Sequence, residues 1–203
     1  MANQINISPE LRPFIFFSGM NTFIGSMNSV LGTDNHLHAL SSFKSRQRRT
    51  SLFVYKDVIG QLGGMGIALY RGKIVEGILS RGFQCITLQQ FALSLDILLG
   101  KNPSWYIPNT CISNMLKNVA WVSLGAINAR CFVDLSKKSN NDVAETYTAV
   151  NVSNTLSSSL GLYCGTKMSH LVRNLGRKVY MVSSGLYVIQ MVSFQLMISS
   201  LEK

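Results

Sequence analysis

The chain has 203 residues, of which 47% are apolar and only 14% charged, and its mean hydropathy is +0.21. Soluble domains usually carry ~25% charged residues, so this composition points to a lipid-exposed or heavily buried chain, and the length points to one unit rather than two domains. The net charge of +10 arises from 19 basic and 9 acidic residues, a scarcity of carboxylates as much as an abundance of lysines, which weakens the reading of a nucleic-acid partner.

The opening MANQINISPELRPF sets no basic residue ahead of an apolar run, so neither a secretory signal nor an arginine-rich transit peptide is expected there. Residues 14–31 then form an apolar stretch interrupted by glycine and asparagine, which reads as a first helix. His36 and His38 follow in NHLHAL; two apart, they diverge on a helix, no third ligand is near, and solvent-exposed loop histidines are expected. The dense basic cluster comes next, with Lys44, Arg46, Arg48 and Arg49 and no acid among them. Such a run suits contact with anionic lipid headgroups or phosphates, or a solvated loop.

The stretch VYKDVIGQLGGMGIAL, residues 54–69, places Lys56 and Asp57 before glycines at 60, 63, 64 and 66. A phosphate-binding loop needs GxxxxGK[ST], so that the lysine reaches the outer phosphates and the hydroxyl holds magnesium. Here Lys73 is followed by Ile74, and the dinucleotide GxGxxG is also missing. What the glycines offer instead is Gly60-x-x-x-Gly64 with Gly63 beside it, repeated later as Gly161-x-x-x-Gly165. Glycines four apart on a helix leave a flat groove for close helix packing, a device favoured in lipid; a small-molecule groove lined by backbone is the other reading. Lys56 and Asp57 are neighbours pointing about 100° apart, so partners on other helices are expected, Asp96 and Lys117 being the main charges nearby. Snorkelling of Lys56 at a helix end is the plainer alternative.

Residues 85–99 carry one charge, Asp96, and residues 107–129 carry one, Lys117. Both stretches read as helices, since no segment sustains a two-residue alternation. Asn114 and Lys117, three apart, share a helix face and can present an amide and an ammonium together. Breaks are expected at GKNPSW, with Pro108 after it, and at SKKSNNDV, residues 136–143. The last span, residues 179–201, has 23 residues and no charge, and at ~1.5 Å per residue it covers a hydrocarbon core of ~30 Å. Arg173, Arg177 and Lys178 precede it, so the positive-inside rule puts its N-terminal end on the cytosolic, stromal or matrix side. Its serines and glutamines indicate a face turned to other helices.

Four cysteines stand 20 to 33 residues apart without CxxC or histidines at ligand spacing, so free buried thiols are expected and no metal site. No nucleophile–base pair or acid pair has recognisable spacing, so no catalytic residue is assigned, and no cofactor is expected. The whole reads as an all-α, membrane-embedded bundle of about six helices in one domain, 1–203.

The residues around the glycine cluster resemble a known family, the root UVB sensitive proteins. Its lysine-aspartate element with spaced glycines is similar to KDVIGQLGG, where Lys56, Asp57, Gly60, Leu62 and Gly63 match and Val58 replaces a usual glycine. Its cysteine-x-x-asparagine-x-x-lysine element is similar to CISNMLK, with Cys111, Asn114 and Lys117, followed by Gly125 and Ala126. A third stretch keeps Asp142, Val143 and Gly161 but lacks the family's charged core, and FQCITLQQ stands where the family has aspartates. The likeness runs over about residues 10–166 and implies an all-helical, membrane-embedded fold.

Three functions follow as expectations. The first is a non-catalytic integral membrane protein, an accessory subunit of an organellar membrane complex, the mitochondrial inner membrane ahead of the plastid, with membrane lipids and other membrane-protein subunits as partners. The second is a small-molecule or lipid carrier in which Lys56, Asp57, Asn114 and Lys117 converge on an intrabundle polar site. The third, an enzyme, has the least support.

Overall fold

A computed structural model of the chain describes residues 9–41, 46–70, 77–99, 105–139, 142–173 and 178–202. Within them lie six helices: α1 (Leu11–Ser41), α2 (Arg46–Tyr70), α3 (Ile78–Leu99), α4 (Tyr106–Ser139), α5 (Val143–Arg173) and α6 (Lys178–Glu202). The described residues contain no strand. One helix, over Val179–Leu201, is long and apolar enough to cross a membrane by length and composition.

The helices outrun the apolar stretches that announce them, because polar residues continue the helical face rather than break it. Helix α1 extends from the apolar stretch through Asn35 and His36 to Ser41, so the histidines lie on a helix, not in an exposed loop. The breaks are local chemistry. Pro108 stands within the first turn of α4, where a missing N–H costs no intrahelical bond. Asp142 caps α5, its Oδ1 accepting from the Ala144 N–H at 3.4 Å and its carbonyl from the Thr146 N–H at 3.0 Å. Gly77, at φ 75°, turns the chain into α3 through a conformation that other residues rarely adopt.

Three apolar clusters fix the topology. The largest joins Leu11 and Phe14 near the start of α1, Ile86 of α3 and Val150 of α5 to Ile127, Phe132 and Leu135 late in α4 and Phe194 and Met197 late in α6. A second joins Ala39 and Leu40 at the end of α1 to Leu52 and Tyr106 at the starts of α2 and α4. The third joins Leu31, Leu93 and Ile97 to Met168 near the end of α5 and Val179 and Tyr180 at the start of α6. Helices α1, α3 and α5 therefore run one way and α2, α4 and α6 the other. The ends of α1, α3 and α5 share one end of the bundle with the starts of α2, α4 and α6.

Small residues set the closest crossings. Gly161 and Gly165 of α5 lie on the backbone of α1: a Cβ at Gly161 would fall on the Phe23 carbonyl and 2.9 Å from Ser26 Cβ, and one at Gly165 would sit 3.0 Å from Met27 Cα. Along the same seam Ser18 Oγ donates to Asn154 Oδ1 at 3.0 Å, and Ser26 and Ser158 share a hydrogen bond of 2.9 Å. Gly60, Gly63 and Gly64 of α2 face α4, against Asn114, Met115 and Asn118 respectively. Helix α6 turns Ser183, Gln190 and Ser193 inward, all buried, and Gln90 of α3 donates to Ser183 Oγ at 2.7 Å.

Candidate functional site

Charges in the apolar helices gather at two neighbouring places along α4, one turn apart. The first lies where α1, α3 and α4 meet. Asp96 is wholly buried, at 0% exposure. Its Oδ1 accepts from Ser113 Oγ of α4 at 2.5 Å and lies 2.8 Å from His36 Nε2 of α1. Its Oδ2 is ion-paired with the ammonium of Lys117, also on α4. A carboxylate only accepts, so the hydrogen on His36 sits on Nε2; Nδ1 of that ring is buried with no hydrogen-bond partner in the structure. Gly32 of α1 makes room for the cluster, because a Cβ there would lie 3.0 Å from Asp96 Oδ2 and 3.5 Å from Lys117 Nζ. Ser113 also reaches the Ala92 carbonyl at 3.0 Å, which fastens α4 to α3 beside the ion pair.

The second place is the α2–α4 crossing. Asn114 Nδ2 donates to the Lys56 carbonyl at 2.9 Å and meets Asp57 Oδ1 at 3.4 Å. Lys56 and Asp57, read from sequence as unable to satisfy each other, are 3.4 Å apart as an ion pair. The lysine stem is long enough to fold back along the helix, where its ammonium also stands 4.2 Å over the Phe53 ring. Lys56 is in the body of α2, not at its end, so this is not snorkelling at a terminus. The glycine groove and this contact are one device: a Cβ on Gly60 would occupy the place of the Asn114 amide.

Of the four residues expected to converge, Lys56, Asp57 and Asn114 come together while Lys117 turns to Asp96. The two charges named as candidate partners for the α2 pair thus satisfy each other. Sequence reasoning passed over His36, whose burial and bond to Asp96 depend on a contact between helices distant in the chain. The lone acid of one apolar helix and the lone cation of the next were the available signal. In the basic cluster, Lys44 lies outside the described residues; Arg46, Arg48 and Arg49 form the first turn of α2.

No disulfide joins the four cysteines, of which Cys85 and Cys131 are buried and Cys111 and Cys164 half-buried. Among the described residues no group of three His, Cys, Asp or Glu side chains is placed to hold a metal ion. The arrangement can hold charge and hydrogen-bonding capacity inside an apolar bundle.

An all-α bundle with glycine-notched crossings and a buried ion cluster is the class of protein that these features define. The model of the family described as the vitamin B6 photo-protection and homoeostasis domain matches residues 6–202, nearly the whole chain. The chain belongs to this family, the root UVB sensitive proteins. The match reaches past the motif-bearing stretch and takes in α6. No curated protein and no solved structure matches the chain.

Proposed function

We propose that this chain is a non-catalytic integral membrane protein serving vitamin B6 homoeostasis, as an accessory subunit of an organellar membrane complex. The observation that carries the reading is a widely apolar exterior over an interior that also holds polar groups. Outward faces bear Val54, Val58 and Leu62 of α2, Leu156 and Leu160 of α5, and Met181, Val188 and Val192 of α6, all exposed. Inward lie His36, Asp96, Ser113, Thr146, Ser183, Gln190 and Ser193, all buried. The core itself is built of apolar clusters, but contiguous exposed apolar faces on this scale are covered by lipid or by partners. Polar groups facing the bundle interior are the arrangement expected in lipid, where they hydrogen-bond across helices.

The charge flanking α6 supports an orientation with its N-terminal end on the cytosolic, stromal or matrix side, and the mitochondrial inner membrane is the location we favour. Carbonate washing of native membranes tests the premise, the chain being expected to stay in the pellet. Mild detergent extraction tests the subunit role: comigration with a larger assembly is expected, and a monomer migrating freely would reject it.

A second reading, a carrier of a small polar molecule, is favoured by the ion cluster at Asp96 and its neighbour at Asn114. The family's description makes a vitamin B6 vitamer the ligand to try. Titration of purified protein with pyridoxine should give binding that the D96N substitution abolishes; heat signals identical for both proteins would remove this reading.

A further inference from the structure

The inner face of α1 meets a polar group at every turn from Ser18 to His36. Ser18, Asn21, Gly25, Asn28, Gly32 and His36 recur at three- and four-residue steps, which confines them to about 80° of the helix circumference. At the two glycines the polar group comes from a neighbouring helix. A Cβ on Gly25 would lie 3.5 Å from Gln190 Nε2 of α6, and one on Gly32 would lie 3.0 Å from Asp96 Oδ2 of α3. Successive levels are ~5 Å apart along the axis, a gap of the size that one bridging water closes. The outer level is Ser18, bonded at the α1–α5 seam to the half-buried Asn154.

Three acceptors on this face have no partner among the described residues: Asn21 Oδ1, Asn28 Oδ1 and His36 Nδ1, all buried. Asn28 is 8% exposed and His36 4%. What such atoms lack is a hydrogen to accept, which a water or a proton supplies. At the inner end, Asp96 holds the Nε2 hydrogen of His36 at 2.8 Å, so the lone pair on Nδ1 is open to a proton. The carboxylate has one fixed cation, Lys117 on its Oδ2. A proton on Nδ1 turns the His36 contact on Oδ1 into a second ion pair and breaks no hydrogen bond.

The surroundings of the ring bear on that proton. From α4 come the Lys117 ammonium and Tyr106, whose ring meets that of His36 edge-on at 6.2 Å. Tyr180 of α6 and Met168 of α5 join the apolar cluster of Leu31, Leu93 and Ile97 beside it. Asp57 of α2 is engaged by Lys56 and Asn114, and Asp34 and His38, two residues to either side on α1, point away from His36. Lys117 repels a cation arriving from the α4 side, which leaves the polar face of α1 as the approach.

We propose that His36 Nδ1 is a proton-binding site inside the bundle, supplied along the Asn21–Asn28 face of α1. Its occupancy sets a titratable cation against Lys117 for the one carboxylate that joins α1, α3 and α4. The site depends on that junction alone and needs neither the membrane reading nor the carrier reading.

Nitrogen-15 NMR of the histidine-labelled full chain in detergent reads the tautomer and charge of each of its three imidazoles. His38 and His170 are exposed, so H38Q and H170Q assign their signals and leave that of His36. At alkaline pH the His36 ring is expected as the Nε2–H tautomer. On acidification its Nδ1 signal should move to the protonated position as one averaged peak. K117Q, which removes the competing cation, should shift that change to higher pH by about one unit or more, and D96N, which leaves Lys117 unpaired, should shift it to lower pH by a similar amount. N28L, which closes the approach, should split the averaged peak into separate neutral and protonated peaks. An Nδ1–H tautomer, an Nδ1 that stays unprotonated until the chain unfolds, or K117Q and D96N responses that match wild type would each overturn the site. Separate peaks already in wild type, or an averaged peak kept in N28L, would overturn the supply along α1 and the proposal with it. The wild-type spectra decide the matter even where a junction variant fails to fold.

Discussion

His36 and Asp96 meet across the α1–α3 interface at 2.8 Å, imidazole Nε2 to carboxylate Oδ1, and Lys117 closes the other side of the same carboxylate. Three helices therefore converge on one fully buried charge. Removing that charge strands the Lys117 ammonium and His36 Nε2, while Ser113 keeps the Ala92 carbonyl, 3.0 Å away, as an acceptor. Breaking a buried pair by deleting one partner typically costs 3–5 kcal/mol, so Asp96→Ala is expected to lose about 3–5 kcal/mol of stability. Asp96→Asn keeps the shape and one acceptor and should lose less. Unfolding of detergent-solubilised protein checks the order, and a D96A loss below about 1 kcal/mol would mean that the cluster holds nothing together.

The glycines of α5 carry their own control. A methyl on Gly161 would strike the Phe23 carbonyl, which belongs to the backbone of α1 and cannot rotate away, whereas a methyl on Gly125 meets nothing within 4 Å. Gly161→Ala is therefore expected to cost about 1–3 kcal/mol or more through overpacking. Gly125→Ala should be neutral or gain about 0.5–1 kcal/mol from helix propensity. Thermal melts of the two variants side by side decide it, and equal shifts would show that the α1–α5 crossing is loose.

Much of this architecture was legible before any coordinates. The uncharged run of 179–201 reads as one helix because nothing in it interrupts an apolar stretch of 23 residues. The starts of α4 and α5, marked by Pro108 in the first turn and by Asp142 before it, follow from chemistry that acts over a few residues. What stayed hidden was pairing between helices. His36 carries no local sign of burial, since its neighbour His38 on the same helix is exposed, and only the packing of α1 against α3 distinguishes them. Lys56 and Asp57 misled for the opposite reason: backbone direction separates adjacent side chains, yet a lysine stem spans that gap. Asp96 and Lys117 were each visible as lone charges in apolar segments, and an expectation that neighbouring helices pair such charges would have joined them.

Ser26 and Ser158 form a hydroxyl pair at 2.9 Å on the α1–α5 seam, and interhelical pairs of this kind in lipid average ~0.6 kcal/mol in double-mutant cycles. Ser26→Ala and Ser158→Ala should each cost about that much, and the double variant little more than either alone. Stability measured for all four proteins gives the coupling directly. Strict additivity would mean that the two hydroxyls hold other partners when the bundle is in detergent.

Gly82 of α3 and Phe194 of α6 fit as notch and ring: a Cβ on Gly82 would lie inside the Phe194 ring, which is fully buried. The ring has little freedom to yield, because Phe83 packs on it at a centroid distance of 5.9 Å and Ile86 and Met197 share its cluster. Gly82→Ala alone should cost about 1–3 kcal/mol by overpacking, and Phe194→Ala about 3–5 kcal/mol by leaving a cavity. Phe194→Leu removes ring volume where the new methyl must go, so Gly82→Ala combined with Phe194→Leu is expected to cost less than the two single changes added together. Residues in contact show coupling of about 0.5–3 kcal/mol in such cycles. Additivity within about 0.5 kcal/mol would place the ring away from the notch and show the α3–α6 crossing to be loose.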